Sequence, residues 1–229
     1  MATLGVFVKE PLPGKVKTRL GKQIGEELSA QLYEAFLADF TETVNSLSKI
    51  ESVFAYAPST PNAQQYFQNL SNGNQALWQQ PETDLGSRMG QFFKHYLTPG
   101  NPVVIVGSDS PTLPARLVEE AFELLKENDV VIGPAVDGGY YLVGQSKPVS
   151  EMFEGINWSE PNVLQQTIER LRETKSSVGL LTPWYDIDSL EDVMFLRGHL
   201  NALELSGTEV EQLLHTKKVL EIIFSQEAR

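Results

Sequence analysis

Val103-Val104-Ile105-Val106 is a run of four β-branched residues that leads straight into Gly107-Ser108-Asp109. The chain repeats this step along its length, from a short apolar run through a polar turn into helical spacing. Such alternation dictates a mostly parallel sheet wrapped by helices, because parallel neighbours need a long crossover and a helix supplies it. The expected strands are Leu4–Val8, Ser52–Ala57, Gln75–Trp78, Val103–Val106, Val130–Ile132, Tyr140–Val143 and Val178–Leu181. Helical spacing appears in Leu28, Leu32, Tyr33, Phe36, Leu37 and Phe40, and again from about Leu85 to Tyr96. Pro114 opens another helix with the face Leu117, Val118, Ala121, Phe122 and Leu125. Ser159–Thr174 reads as helical, and Ser189 caps a helix with Asp192 in its first turn. Thr208 and Glu211 form a capping box for the last helix. A chain of 229 residues without repeat, linker or low-complexity segment reads as one α/β domain over residues 1–229.

Composition narrows the chemistry. With no cysteine, disulfides, thiol catalysis and cysteine-ligated metal centres are excluded. The start lacks a basic region followed by a long apolar stretch, and no apolar run approaches a membrane span, so the expected compartment is cytoplasmic. A net charge of −12 argues against a nucleic-acid polymer as partner, since that needs a basic face. The exception is local. Lys9, Lys15, Lys17, Arg19 and Lys22 face a single acid, Glu10, between residues 9 and 22. A compact basic loop on an acidic protein suits a small polyanion, and a solvated surface loop is an even alternative.

Position strengthens the first reading, because a loop leaving the carboxyl end of a central strand lies where open α/β sheets bind ligands. Pro11 and Pro13 stiffen it, Gly14 permits close backbone approach, the lysines supply point charges and Arg19 can grip phosphate bidentately. Neither the G-x-x-x-x-G-K-S/T phosphate loop nor a G-x-G-x-x-G fingerprint is present. Asp109 ends the strongest strand and could hold Mg²⁺ or Mn²⁺ through one oxygen; a turn aspartate before Pro111 explains it equally. Asp137-Gly138-Gly139-Tyr140-Tyr141 reads first as a β-turn with core tyrosines, and second as a cleft where Asp137 acts as a base or a hydroxyl-binding group. Asp188, in Asp186-Ile187-Asp188-Ser189, is either a second metal ligand or one of the acids that helix starts attract. Trp158-Ser159 offers an aromatic platform and a hydroxyl, or a packed tryptophan beside an N-cap. His95, His199 and His215 lie in helical sequence outside any motif, so packed or surface imidazoles are expected. The absence of G-x-S-x-G removes the ordinary serine-hydrolase reading.

Taken in order, six segments resemble a bacterial family of GT-A-fold proteins provisionally called glycosyltransferases, or selenodomain-associated transferases. They are residues 8–20, Leu85-Gly86-Ser87-Arg88-Met89, Gly107-Ser108-Asp109-Ser110-Pro111, residues 137–144, Ile156-Asn157-Trp158-Ser159 and residues 186–192. The match spans residues 1 to about 195, leaving the residues after about 200 as a helical C-terminal extension. The resemblance implies a nucleotide-diphospho-sugar transferase fold, a Rossmann-like α/β/α sandwich. It extends distantly to the nucleotidyltransferases that activate molybdopterin, or phospholactate in deazaflavin-cofactor synthesis. Two departures stand out: the Asp-x-Asp of glycosyltransferases is reduced to Asp109-Ser110-Pro111, and the first loop lacks the Gly-rich run of many nucleotidyltransferases.

The implied function is metal-dependent transfer of a sugar from a nucleotide-diphosphate donor to a small acceptor, with Mg²⁺ or Mn²⁺ on Asp109 and Asp188. Asp109 and Asp137 are the candidate catalytic residues. Lys9, Gly14, Lys15, Lys17, Thr18, Arg19, Gly86, Arg88 and Ser108 are candidates for the nucleotide, and Gly138, Gly139, Tyr140, Trp158 and Ser159 for the acceptor. The alternatives are joining a nucleoside triphosphate to a phosphorylated acceptor with release of pyrophosphate, and nucleotide binding without catalysis. An acceptor phosphate would need a second basic site, for which Arg88, Arg116 and Lys147 are the few candidates. The last helix offers Val210, Leu213, Leu214 and Leu220 as a face for pairing into a homodimer.

Overall fold

Apolar side chains alternate along the strands and so divide between the two faces of one sheet. Val104 and Val106 enter one core layer while their neighbours Val103 and Ile105 enter the other. The computed structural model describes residues 2–207 and 213–226. Its strands are β1 (Ala2–Lys9), β2 (Ile50–Ala57), β3 (Ala76–Gln79), β4 (Val103–Gly107), β5 (Val130–Pro134), β6 (Tyr140–Gln145) and β7 (Val178–Leu180). They form one sheet in the order β3-β2-β1-β4-β6-β5-β7, parallel throughout except for β6, which runs antiparallel between β4 and β5.

The helices are α1 (Thr18–Ile24), α2 (Glu26–Asn45), α3 (Pro61–Ser71), α4 (Leu85–Tyr96), α5 (Ala115–Leu124), α6 (Val163–Thr174), α7 (Leu190–Leu205) and α8 (Leu214–Gln226). Side chains of α1, α2, α3, α5, α7 and α8 share the layer of Val104 and Val106. Met89, Phe92 and Phe93 of α4 and Leu171 of α6 build the other layer, together with Met152 and Phe153 of a short 3₁₀ turn. The result is the α/β/α sandwich expected. No described helix is long and apolar enough to cross a membrane.

Every expected strand is present, with no end shifted by more than two residues. Two helices were not anticipated. α1 occupies what reads as the second half of the basic loop, and α3 fills the segment after Pro61. α6 begins at Val163 rather than Ser159, because Ser159 adopts a left-handed backbone (φ 70°) that a helix cannot contain. Ser189 and Asp192 form a reciprocal capping box at α7, sharper than the cap expected there. The capping box expected at Thr208 and Glu211 lies outside the described residues.

The C-terminal helix packs on its own chain. Leu213, Leu220 and Ile223 are buried in the same layer as α2, and Leu214 is exposed. Asp39, fully buried on α2, accepts the backbone N–H groups of His215 (3.1 Å) and Thr216 (2.8 Å) at the start of α8. Two of the residues expected to pair with a second chain are therefore spent within this one. Val210 lies outside the described residues.

Candidate functional site

The parallel strands deliver their carboxyl ends to one edge of the sheet, and the loops that follow β1, β4, β5 and β7 meet there. Asp109 follows β4. Its backbone carbonyl accepts the N–H of Ile187 at 3.0 Å, which draws the segment after β7 alongside. Ile187 is buried in the core, so the extended backbone turns its neighbours Asp186 and Asp188 outward. Asp192 of the α7 capping box fixes that segment from below, accepting the N–H groups of Asp188 (3.0 Å) and Ser189 (2.8 Å).

Lys17 is the centre of the site. It ends the β1 loop as the N-cap of α1 in a left-handed conformation (φ 46°, ψ 44°) that disfavours a side chain. Its ammonium touches Asp109 and stands 3.2 Å from Asp188 Oδ1, with the rings of Tyr33 and Phe36 each centred 5.9 Å away. The lysine side chain is 2% exposed while the two carboxylates remain 49% and 45% exposed. Burial works against its charge, but Asp109 and Asp188 outweigh burial and hold its pKa above the ordinary lysine value. Lys17 was expected among the phosphate contacts; the structure spends it on the two expected metal carboxylates.

Asp186 is the site residue that sequence reasoning left without a role. It is half-buried and accepts a 2.5 Å hydrogen bond from Ser110 Oγ. Burial pushes its carboxyl up to about 6, with Asp109 and Asp137 adding to the rise and Ser110 and Lys17 opposing it. Asp137 is exposed in the hairpin between β5 and β6, its Oδ1 accepting the Gly139 N–H at 3.0 Å. Four acids thus gather at this edge with one buried ammonium.

The neighbouring wall is a polar chain. Trp184 Nε1 donates to Thr112 Oγ1 (3.3 Å), Thr112 donates to the Tyr185 hydroxyl (2.7 Å), and that hydroxyl shares a 2.6 Å bond with His199 Nδ1. The chain ties the segment before Asp186 to the segment after Asp109. His199 is the packed imidazole its context suggested.

The remaining candidates divide. Lys9, Lys15, Thr18 and Arg19 are exposed along the β1 loop and the first turn of α1, available to a ligand. Gly14 (φ 71°) lies where a side chain would meet the Glu26 carboxylate at 2.8 Å, so its close approach is to α2. Ser108 is buried and committed to the Phe7 carbonyl (3.0 Å) and the Tyr33 hydroxyl (2.7 Å); it buttresses the loop and is not placed to meet a nucleotide. Arg88 sits in α4, held by the Thr83 carbonyl (2.7 Å) and by Gln80, which itself donates to the Ala55 carbonyl (2.6 Å).

Gly86 makes room for the Trp158 ring, which a Cβ would meet at 2.6 Å; its service is packing. Gly138 (φ 95°) lies so close to the Pro161 carbonyl that any side chain would overlap it, and its own carbonyl accepts the Leu164 N–H at 2.9 Å. Residues 156–162 are thereby locked against the hairpin, bringing Trp158 and the exposed Ser159 to its flank. Tyr140 faces inward with its hydroxyl buried, and Tyr141 is core, donating to the Thr182 carbonyl at 3.0 Å. The core-tyrosine reading of this motif therefore holds, and Tyr140 is not placed to touch an acceptor.

The two expected metal carboxylates, Asp109 and Asp188, do lie together, both against the Lys17 ammonium. Among the described residues no group of three or more His, Asp or Glu is arranged to hold a metal ion by itself. Two half-exposed carboxylates converging on one point are what Mg²⁺ or Mn²⁺ uses when phosphates and waters complete its shell.

Comparison with known proteins gives the family and the fold. A protein from Desulfovibrio desulfuricans, provisionally assigned as a nucleotide-diphospho-sugar transferase, is 32% identical, with 97% of each chain covered and a TM-score of 0.83. The 4-diphosphocytidyl-2C-methyl-D-erythritol synthase of Anaerococcus prevotii shares the fold at 12% identity (TM-score 0.57, 88% of this chain and 98% of that one). A cytidylyltransferase from Leptospira borgpetersenii does so at 11% identity (TM-score 0.51, 99% and 95%). No curated protein sequence matches. The model of the DUF2064 family, described as uncharacterized proteins conserved in bacteria, matches residues 40–160. With a family match over more than half its length and a 32%-identical relative covering nearly all of it, the chain belongs to the DUF2064 family and has the nucleotide-diphospho-sugar transferase fold.

Proposed function

We propose that this protein transfers a sugar from a nucleotide-diphosphate donor to a small neutral acceptor. The observation that carries the reading is the convergence of the basic β1 loop with Asp109, Asp137, Asp186 and Asp188 at the carboxyl edge of the sheet, where open α/β folds bind ligands. Lys9, Lys15 and Arg19 line the approach for the diphosphate. Asp109 and Asp188 would hold Mg²⁺ or Mn²⁺, which supplies positive charge where the departing diphosphate gathers negative charge. On the acceptor side, Asp137 is exposed for a hydroxyl, and Asp186, with its carboxyl pushed up to about 6, is matched to take a proton near neutrality.

Nucleotidyl transfer is the second reading, favoured by the fold shared with a cytidylyltransferase and by the single aspartate of Asp109-Ser110-Pro111. It needs a second basic site for the acceptor phosphate. Lys147 cannot provide one, because antiparallel β6 carries it to the opposite edge of the sheet, where it pairs with Asp129 at 2.7 Å. That loss supports a neutral acceptor.

The test is product analysis with Mn²⁺ across nucleotide sugars and nucleoside triphosphates. Release of nucleoside diphosphate from a nucleotide sugar, abolished by Asp109→Ala, is the expected result. Pyrophosphate released from a triphosphate in the presence of a phosphorylated acceptor would replace this reading with the second. No release of either product across the panel sinks both.

A further inference from the structure

The two carboxylates proposed to hold a metal already share a cation. Lys17 is fixed there by a backbone conformation it adopts at a cost, by near-complete burial, and by two aromatic rings over its ammonium. One ammonium against two carboxylates leaves a net charge of −1 among the touching groups; without it the pair carries −2. A hard divalent cation binds carboxylate oxygens largely through charge, and an ammonium on the same oxygens opposes it. We propose that Lys17 is the resident counter-ion of Asp109 and Asp188 and keeps divalent metal from binding them in the free protein. On the reading of the site as a diphosphate site, the ligand's negative charge offsets Lys17, so metal and nucleotide enter together. By linkage, each then raises the other's affinity by the same factor. Lys17 is a positioning residue in this account, acting through the carboxylates.

The experiment measures free Mn²⁺ by electron paramagnetic resonance in titrations of the full chain without nucleotide. Lys17→Met, close in volume, is expected to bind Mn²⁺ about tenfold or more tightly than the wild type, the size of one lost like charge about 5 Å away in a partly hydrated site. Adding Asp109→Asn is expected to remove that gain, and Lys17→Arg, which keeps the charge, to stay at the wild-type level. A Lys17→Met protein that binds Mn²⁺ no better than the wild type overturns the proposal. Should Lys17→Met not fold, the wild type decides. Tight binding of Mn²⁺ alone that Asp109→Asn abolishes overturns the proposal; weak binding, unchanged by Asp109→Asn, supports it. A separate arm adds ADP, CDP, GDP or UDP in turn. If none tightens Mn²⁺ binding beyond the Asp109→Asn control, the diphosphate reading fails, while the nucleotide-free arms still judge Lys17.

Discussion

Replacing Asp186 with asparagine should make the protein more stable at alkaline pH and leave it little changed in acid. An aspartate ordinarily titrates near 3.8, and this one is pushed up to about 6, first by burial and then by Asp109 and Asp137. Between those values the folded chain binds more protons than the unfolded one, so stability falls as pH rises through the window. The full difference corresponds to roughly 3 kcal/mol above pH 7, at 1.36 kcal/mol for each tenfold. Partial exposure reduces the expected effect to roughly 1–3 kcal/mol. The side-chain amide introduced by Asp186→Asn would still accept the Ser110 hydrogen bond and would never ionise. Urea unfolding followed by tryptophan fluorescence, at steps from pH 4.5 to 8, measures the gap between Asp186→Asn and wild type. It should widen in favour of the variant as pH rises toward 6, where the folded carboxyl titrates, and level off above that. A gap that stays constant, or one that turns against the variant as pH rises, refutes the assignment of a strained carboxyl to this position.

Gly138→Ala should destabilise by roughly 2–4 kcal/mol in thermal or urea unfolding, because it adds a clash with the Pro161 carbonyl to an unfavourable left-handed backbone. Gly86→Ala should displace the Trp158 ring from α4, read as a shift in tryptophan emission with an unfolding cost of roughly 1–3 kcal/mol. Asp39→Ala should cost roughly 1–2 kcal/mol by leaving two N–H groups at the start of α8 without their acceptor. Limited proteolysis should then release α8 earlier than in wild type, with Asp39→Asn intermediate.

Most strands were readable because their apolar runs are dense and several end in Gly or Pro, as Val103–Val106 does at Gly107. α3 was overlooked because its helical spacing rests on Ala63, Phe67 and Leu70 amid asparagines and glutamines. The signals that could have found it were local: Thr60 caps the Ala63 N–H at 3.2 Å, and Pro61 stands at the first helical position. α1 had no such marker, since its N-cap is a left-handed lysine that no capping preference announces.

The same split runs through the site. Asp109, Asp137 and Asp188 could be placed by their positions after strands and before a helix. Lys17 could be counted as a charge, but its burial depends on Tyr33 and Phe36 from α2 and on Asp188 from 171 residues away, contacts that only the fold creates. Asp186 and Asp188 looked alike in sequence. They differ because Ser110 and the acids from two other loops close around one of them. Gly86 and Gly138 looked like ligand-facing glycines and proved to be packing glycines, a distinction made entirely by Trp158 and Pro161.

The central claim is that the edge holding Lys17 and its acids binds a nucleotide diphosphate with a divalent ion. Thermal unfolding of wild type and Asp109→Ala against nucleoside diphosphates and nucleotide sugars, with and without Mn²⁺, tests it most directly. At about a hundredfold ligand excess over Kd, binding adds about 2.7 kcal/mol, a shift well above experimental scatter. The expected result is stabilisation by at least one of these ligands that requires Mn²⁺ and disappears in Asp109→Ala. A wild-type midpoint that no nucleotide moves, or an Asp109→Ala protein that responds as fully as the wild type, contradicts it.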